Sequence, residues 1–381
     1  MAGGVTLVSL ELSKMSVFET INEGWIARRR PGENGRIGGP SCAVTGSGML
    51  ISSYITQSAM GRNDFVPHLA RSQDGGVSWQ DNGPIWPHLA ETWSILVTVS
   101  RAPNDDLYLF GSRCRIDGPA ETFWCETTQG LKENELIWSQ SCDDGETWTE
   151  PAVIPMPVAG SAEAPSPMCV SHDNRWLCCY SPYHTFDATL QVDRSKAIVL
   201  VSDDRGQTWQ HRHMLSYVEP ETGTAVAAIT QLADGRFLGA GWHLHLSDQK
   251  DYPNGFALSS DGWHWEPTHS TGVMGQAVGL AALPDGRVLM SYTQRKHGVV
   301  GIGIAIARPE PNDFGLEHSE IVWHAEQAQQ RNSHGDHSEW LDFAFGMPVP
   351  TLLNADTLQL SFWLHQADGR GVRHLRLRWN D

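Results

Sequence analysis

The sequence predicts an all-β fold: a six-bladed β-propeller of four-stranded antiparallel blades, in a single domain over residues 1–381. Three observations lead to this prediction: a repeated turn pattern, six repeated hairpin patterns, and almost no sustained helical periodicity. With 40% hydrophobic and 19% charged residues, the composition is that of a globular protein and not of a disordered or fibrous one.

The first repeat is a short turn of the form Ser-x-Asp-x-Gly-x-(Ser or Thr)-Trp. It is complete in residues 72–79, 141–148 and 202–209, and one residue shorter in 259–265. The copies begin roughly 60 to 70 positions apart, a spacing that suits one four-stranded blade with its connecting loop. The Asp and hydroxyl groups bind backbone N–H groups, Gly allows a positive φ, and Trp packs on a neighbouring strand. We therefore interpret these turns as structural.

The second repeat is an apolar strand, a turn with Gly, Asn or Asp, and a second apolar strand, the pattern of a β-hairpin. Six copies lie in residues 42–54, 95–113, 168–183, 227–245, 279–295 and 350–365. One hairpin in each blade predicts six blades. Only residues 321–331 favour a short helix.

Ring closure follows from the two ends of the chain. The last hairpin is followed by one more strand-like run, residues 372–379, which leaves the sixth blade one strand short. Because a propeller avoids exposed edges by closing on itself, we expect an N-terminal strand, from 5–12 or 17–26, to complete that blade.

The charge balance, 27 Lys and Arg against 44 Asp and Glu, gives a net charge of −17. Such a protein repels nucleic acid and anionic membranes, and no segment approaches the ~20 apolar residues of a membrane span. We expect a cytoplasmic protein whose partner is a carbohydrate or small-molecule glycoside; whether it forms a homo-oligomer is left open.

The sequence indicates no cofactor. Its seven Cys are odd in number and lack CxxC spacing, and no phosphate-binding glycine loop is present. His334, Asp336 and His337 are possible metal-ligand types, but a polar loop with histidines is the commoner explanation, so we expect no required metal.

A site is expected on the propeller face where inner strands begin and second strands end, because these positions converge on the axis. Inner-strand starts supply Arg36, Glu91, Trp93, Glu163 and Gln276. Second-strand exits supply Arg62, Asp64, Arg113, Arg115, Tyr183, His184, His243 and Arg295. Several arginines and carboxylates on one face of an acidic protein favour a polar small-molecule site with local basic character.

The turn pattern resembles the Asp-box, or BNR repeat, of the sialidase (neuraminidase) superfamily, and nearly the whole chain resembles a sialidase-type propeller. The resemblance implies a glycoside hydrolase with an Arg-Ile-Pro element in the first blade, an Asp acid/base in the next loop, and two further arginines that complete a carboxylate clamp. Arg36 lies in a similar element with two extra glycines, Asp64 matches the acid, and Arg295 with Arg113 or Arg115 matches the clamp.

The resemblance departs at the nucleophile. Sialidases carry a Tyr at the start of the last blade, where this chain has Phe345-Gly346-Met347-Pro348, without a hydroxyl to attack the sugar.

Three functions remain open. The first is hydrolysis of a terminal, acidic or unusual sugar by a carboxylate pair drawn from Asp64, Glu163 and Glu91. The second is elimination on a uronate-type sugar, with Tyr183, His184 and His243 as acid/base candidates and an Arg to neutralise the substrate carboxylate. The third is sugar binding without catalysis, which the missing Tyr favours.

Overall fold

The computed structural model describes residues 16–30, 32–163, 166–325, 340–341, 343–366 and 369–379. Their strands form six four-stranded antiparallel blades in a ring, which confirms the predicted six-bladed β-propeller. A short two-stranded hairpin lies in a loop of the second blade, and a 3₁₀ turn at Pro87–Leu89 lies between the first and second blades.

The strands of the first half, in chain order, are β1 (Phe18–Arg29), β2 (Arg36–Val44), β3 (Leu50–Gln57), β4 (Val66–Ser72), β5 (Gln80–Pro84), β6 (Trp93–Arg101), β7 (Leu107–Arg115), β8 (Trp124–Cys125), β9 (Gly130–Leu131), β10 (Asn134–Ser141), β11 (Ala152–Ile154), β12 (Ser161–Glu163), β13 (Cys169–Val170), β14 (Trp176–Tyr183) and β15 (Lys196–Ser202). Those of the second half are β16 (Gln210–Ser216), β17 (Thr222–Gln231), β18 (Phe237–His245), β19 (Pro253–Ser259), β20 (His269–Met274), β21 (Gln276–Ala282), β22 (Val288–Gln294), β23 (Gly301–Ala307), β24 (Leu316–His324), β25 (Phe345–Leu352), β26 (Thr357–Gln366) and β27 (Gly369–Trp379).

Each blade runs from an inner strand at the axis to an outer strand at the rim. The orders are β2-β3-β4-β5, β6-β7-β10-β11, β12-β14-β15-β16, β17-β18-β19-β20, β21-β22-β23-β24 and β25-β26-β27-β1. In the third blade β13 also pairs with β14, so the inner strand is split into two pieces. Pro167 lies between the pieces and has no N–H for a ladder. The first two strands of the six blades are the six predicted hairpins.

The ring is closed by the N-terminal strand, as predicted. Strand β1 pairs antiparallel with β27, from Phe18 opposite Trp379 to Arg29 opposite Arg370. This is the segment expected at 17–26; the other expected segment, 5–12, lies outside the described residues.

The helix expected at 321–331 is wrong where the structure describes it, because Leu316–His324 form β24, the outer strand of the fifth blade. Ile321 packs against one hydrophobic cluster, whereas Val322 packs against another. Neighbouring residues that face opposite sides of a sheet are typical of a strand, and this tertiary packing outweighed the weak helical pattern.

The four repeated turns share one hydrogen-bond pattern. In the first, the Ser72 hydroxyl donates to Asp74 at 2.7 Å, Gly76 N donates to Ser72 Oγ at 2.6 Å, and Trp79 Nε1 donates to the Gly76 carbonyl at 3.2 Å. The shorter fourth copy keeps the pattern but uses His264 where the others have Ser or Thr. Each turn joins the third and fourth strands of its blade, so it lies on the face opposite to the exits of the second strands.

We expect Gly145→Ala to destabilise the protein more than Gly235→Ala. Both glycines have similar positive φ values, 84° and 92°. A Cβ at Gly145 would lie 2.5 Å from Ile51 Cδ1 in the neighbouring blade, whereas a Cβ at Gly235 would meet nothing within 4 Å. The backbone cost of about 1 kcal/mol applies to both variants, and overpacking adds roughly 1–3 kcal/mol only at Gly145. Urea unfolding measures both values, and equal losses would contradict the expected clash.

Within the described part of the chain, no helix is long and apolar enough to cross a membrane.

Candidate functional site

A cavity of about 290 Å³ opens on the propeller axis at the face where the second strands end. Four of the residues singled out from the sequence line it: Arg36, Glu163, Tyr183 and Arg295. They come from the first, third and fifth blades, and each lies at or next to the end of a strand. The fold thus brings two arginines, a carboxyl group and a phenol into one pocket.

The floor of this pocket separates it from a second cavity, of about 390 Å³, at the other end of the axis. Val226, Ala277 and Met347 line both cavities. All three have positive φ values, of 41°, 50° and 50°, and lie where the inner strands β17, β21 and β25 shift register against their neighbours. Such bulges bend a strand locally, and strained backbone of this kind is concentrated at functional sites.

Glu163 lies on one wall of the pocket at the end of the short strand β12. The side chain of Asn134 fixes this strand, because it donates to the Ala162 carbonyl at 2.9 Å and accepts from Ala162 N at 2.8 Å. Glu163 Oε2 has no exposed surface and accepts no hydrogen bond from the described residues. Burial raises the pKa of Glu163 to about 7, although the positive charge of Arg194 opposes the rise. This carboxyl can therefore carry a proton near neutral pH.

Tyr183 lies on the same wall, because β12 pairs with β14 and places Ser161 opposite Tyr183 and Glu163 opposite Ser181. The guanidinium carbon of Arg194 lies 3.9 Å from the centre of the Tyr183 ring. Burial raises the pKa of Tyr183, and the negative charge of Glu163 raises it further, whereas Arg194 lowers it. The phenol is thus protonated, with a buried cation against its ring.

Arg36, the first residue of β2, is held by His365 of the last blade. Its Nη1 donates to His365 Nδ1 at 2.7 Å, and His365 Nε2 lies 3.1 Å from the Ile37 carbonyl. Because a carbonyl only accepts, Nε2 carries the proton and Nδ1 is the acceptor for Arg36. Burial, followed by the positive charge of Arg36, lowers the pKa of His365 to about 4.

We expect the free energy of unfolding to fall as the pH is lowered from about 6.5 to about 4. The pKa of His365 is lower in the folded state than the ordinary 6.5, so folding disfavours the protonated ring and the stabilisation is lost in this interval. The shift corresponds to roughly 3 kcal/mol at most. Urea unfolding at several pH values should show a smaller loss for His365→Asn than for the unchanged protein. His88→Asn, at an exposed ring, should keep the full loss; identical curves for all three would contradict this.

Arg295 follows β22 and is held on three sides. Its Nη1 donates to Gln276 Oε1 at 2.6 Å, its Nε donates to the Phe345 carbonyl at 3.1 Å, and its guanidinium carbon lies 3.7 Å from the Phe343 ring centre. Gln276 itself is fully buried behind the pocket wall. Phe345, the residue at which the sequence departs from the sialidase resemblance, is buried and contributes its backbone carbonyl.

The other residues predicted from the sequence lie elsewhere on this face. Asp64 and Glu91 line a separate recess, which shares Asn63 with the axial pocket. Arg62 donates to the backbone carbonyl of Ala120. None of these three is among the described residues that line the axial pocket.

Trp93, Arg113 and Arg115 form a cation–π cluster in the second blade, with guanidinium carbons 4.1 and 5.9 Å from the Trp93 ring. Arg113 Nε also donates to Glu135 at 2.7 Å, and Arg115 lies 3.6 Å from Asp117. These contacts direct all three side chains to groups outside the described lining of the pocket.

The two predicted histidines are also set apart from the pocket lining. The His184 ring centre lies 6.2 Å from that of Tyr183, and burial lowers the pKa of His184. His243 lies between Tyr217, on which it is stacked, and Tyr252, with ring centres 4.1 and 4.8 Å away, and burial lowers its pKa as well. Both imidazoles are therefore held neutral in packed surroundings.

Several pocket residues were not predicted from the sequence. They share a position in long loops or in third strands, which the search for strand starts and second-strand exits did not include: Asn63, Phe123, Trp124, Lys132, Asn134 and Trp340. The signal available was the length of the segment between β7 and β10, which folds into the β8–β9 hairpin and brings Trp124 and Lys132 to the pocket.

No group of three or more His, Cys, Asp or Glu side chains in the described residues is arranged to hold a metal ion. The possible ligands His334, Asp336 and His337 lie outside the described residues.

No protein-family model and no curated protein sequence matches the chain. Solved structures do match. A Dyadobacter fermentans protein of unknown function superposes with a TM-score of 0.72 at 16% identity, over 96% of this chain and 100% of that one. The NanB sialidase from Streptococcus pneumoniae gives 0.63 at 13% identity, over 93% and 70% of the two chains.

A Penicillium chrysogenum α-L-arabinanase, solved with arabinobiose, gives a TM-score of 0.60 at 14% identity, over 94% of this chain and 98% of that one. Glycoside hydrolases of two different specificities thus share the propeller. At these identities the likeness shows the fold alone.

Proposed function

We propose that this protein is a glycoside hydrolase that releases a terminal, carboxylate-bearing sugar bound in the axial pocket. The observation that carries the proposal is Glu163, a buried carboxyl group on the pocket wall whose pKa of about 7 suits a general acid at neutral pH. The fold shared with sialidases and an arabinanase supports hydrolysis. The four hydrogen-bonded turns, which resemble Asp-boxes, support a sialidase-like relationship.

In this proposal the protonated Glu163 donates its proton to the glycosidic oxygen as the bond to the anomeric carbon breaks. Tyr183, on the same wall, keeps its proton and donates a hydrogen bond to the bound sugar. Arg36 and Arg295 hold the sugar carboxylate, because a guanidinium binds a carboxylate with two parallel hydrogen bonds. Water then adds to the anomeric carbon and gives a proton back to the Glu163 carboxylate, which completes the hydrolysis and restores the acid.

A sugar-binding module without catalysis is the second candidate. It is favoured by the fact that Glu163 is the one carboxylate among the described residues that line the pocket, whereas most glycosidases use two. Elimination by Tyr183 with His184 or His243 has less support, because neither histidine is among those lining residues. His365 does line the pocket, but both of its ring nitrogens are bonded, to Arg36 and to the Ile37 carbonyl.

The test is a panel of nitrophenyl glycosides of acidic and neutral sugars, with calorimetric binding of the corresponding free sugars to the same preparation. Release of nitrophenol from an acidic sugar, with little from neutral ones, is the expected result. Binding of an acidic sugar without any release would identify a binding module. Preference for neutral sugars would contradict the role of the two arginines.

A further inference from the structure

Asp251 is a buried carboxylate behind the pocket wall, in the loop between β18 and β19, and only 3% of it is exposed. Trp242 Nε1 donates to its Oδ1 at 3.0 Å, and Gln276 Nε2 lies 3.2 and 3.1 Å from its two oxygens. Lys296 Nζ lies 3.9 Å from Oδ1, and His297 Nε2 lies 3.4 Å from Oδ2. A carboxylate is stable in such a place only when several donors surround it.

Gln276 connects this carboxylate to the pocket. The oxygen and nitrogen ends of a Gln amide have nearly the same shape, so its neighbours decide which way it faces. Asp251 can only accept, which requires the NH₂ end of Gln276 to face it. The Oε1 end then faces Arg295, whose Nη1 donates to it at 2.6 Å and has no capacity to accept. The Asp251 carboxylate thereby determines that Gln276 presents its oxygen, an acceptor, to Arg295.

Trp242 receives its orientation from the same group. Its indole N–H is bound to Asp251, and Trp242, like Arg295, lines the axial pocket. Trp242 belongs to the fourth blade and Gln276 begins the fifth, so Asp251 joins two neighbouring blades directly behind the pocket wall.

We propose that Asp251 is a positioning residue of the axial pocket: it fixes Arg295 through Gln276, and Trp242 directly, so that a guanidinium and an indole face a carboxylate-bearing ligand. The identity of the ligand rests on the proposed function; the positioning of Arg295 and Trp242 does not.

The first test is Asp251→Asn, which keeps the shape but replaces one acceptor by an NH₂ group. The new NH₂ group must face Trp242 or Gln276, both of which donated to the carboxylate. If the Gln276 amide rotates so that its oxygen accepts from Asn at position 251, the NH₂ group of Gln276 faces Arg295 and repels the guanidinium. We expect a crystal structure of the variant to show Arg295 displaced from the Phe345 carbonyl. Calorimetry with N-acetylneuraminic acid and glucuronic acid should show about tenfold weaker binding, the loss of one charge-assisted hydrogen bond, and no change with galactose.

A second variant, Gln276→Leu, removes the connecting amide and leaves the bond from Trp242 to Asp251 in place. It should weaken binding of the two acids by a similar factor. It also tests the inference independently if Asp251→Asn fails to fold. The double variant Asp251→Asn with Gln276→Glu exchanges the amide and the carboxylate, so every donor again faces an acceptor. We expect it to return Arg295 to its original place.

An unmoved Arg295 guanidinium in the Asp251→Asn crystal structure would overturn the inference, whatever the pocket binds. Acid binding within twofold of the unchanged protein in Gln276→Leu would also overturn it. If instead the unchanged protein binds neither acid while Arg295 moves in Asp251→Asn, the positioning role stands and the proposed function fails.

Discussion

Replacing Glu163 by Gln should lower kcat on an alkyl glycoside of the preferred sugar by a factor of about a thousand. An alkoxide is a poor leaving group and needs the proton that Glu163 donates, and proton transfer by a placed side chain contributes about 10²- to 10⁴-fold. Nitrophenolate leaves without a proton, so the nitrophenyl glycoside of the same sugar should lose much less. Damage to the pocket would lower kcat on both glycosides alike. The ratio of the two losses in kcat therefore measures the contribution of proton donation alone.

The pH profile gives the same test a second measurement. Burial raises the pKa of Glu163 to about 7, so the protonated, active form predominates below this pH and is lost above it. For the alkyl glycoside, kcat should decline as the pH rises through about 7, and Glu163→Gln should abolish that decline. Glu135→Gln is a suitable control, because Glu135 binds Arg113 away from the pocket lining. Equal losses on both glycosides would rule out proton donation by Glu163.

The fold was predictable because its repeats are local in sequence. A hairpin such as β17–β18 has apolar strands on both sides of an Asp-Gly turn, and the Asp74, Asp143 and Asp204 turns bind their own backbone. Strand β24 was missed because its outer-strand pattern is only partly apolar, and its identity depends on packing against β23.

The site was predictable only to the extent that topology determines it. Strand ends identify Arg36, Glu163, Tyr183 and Arg295, since the ends of inner and second strands converge on the axis. The same rule also selected Arg113, which contacts Trp93 and Glu135 instead. Which way a long side chain points depends on such partners in space, and a single sequence does not contain them.

Arg295 and Arg113 therefore make a matched pair of variants for testing how the sugar carboxylate is held. Both arginines lie over an aromatic ring and donate to a neighbouring side chain, but only Arg295 lines the axial pocket. Met keeps much of the length and the apolar contact of Arg while removing the charge and the hydrogen bonds. The two Met variants thus differ mainly in whether the lost charge faced the proposed ligand.

We expect Arg295→Met to raise KM for an acidic sugar by about a hundredfold, because a charge-assisted hydrogen bond contributes about 1.5–3 kcal/mol and Arg295 can offer more than one to a carboxylate. KM for the matching neutral sugar should change by less than about threefold. Arg113→Met should leave both values nearly unchanged. If Arg113→Met weakened binding of the acid as strongly as Arg295→Met, the effect would be one of general charge, and the carboxylate would not be held by Arg295 in the axial pocket.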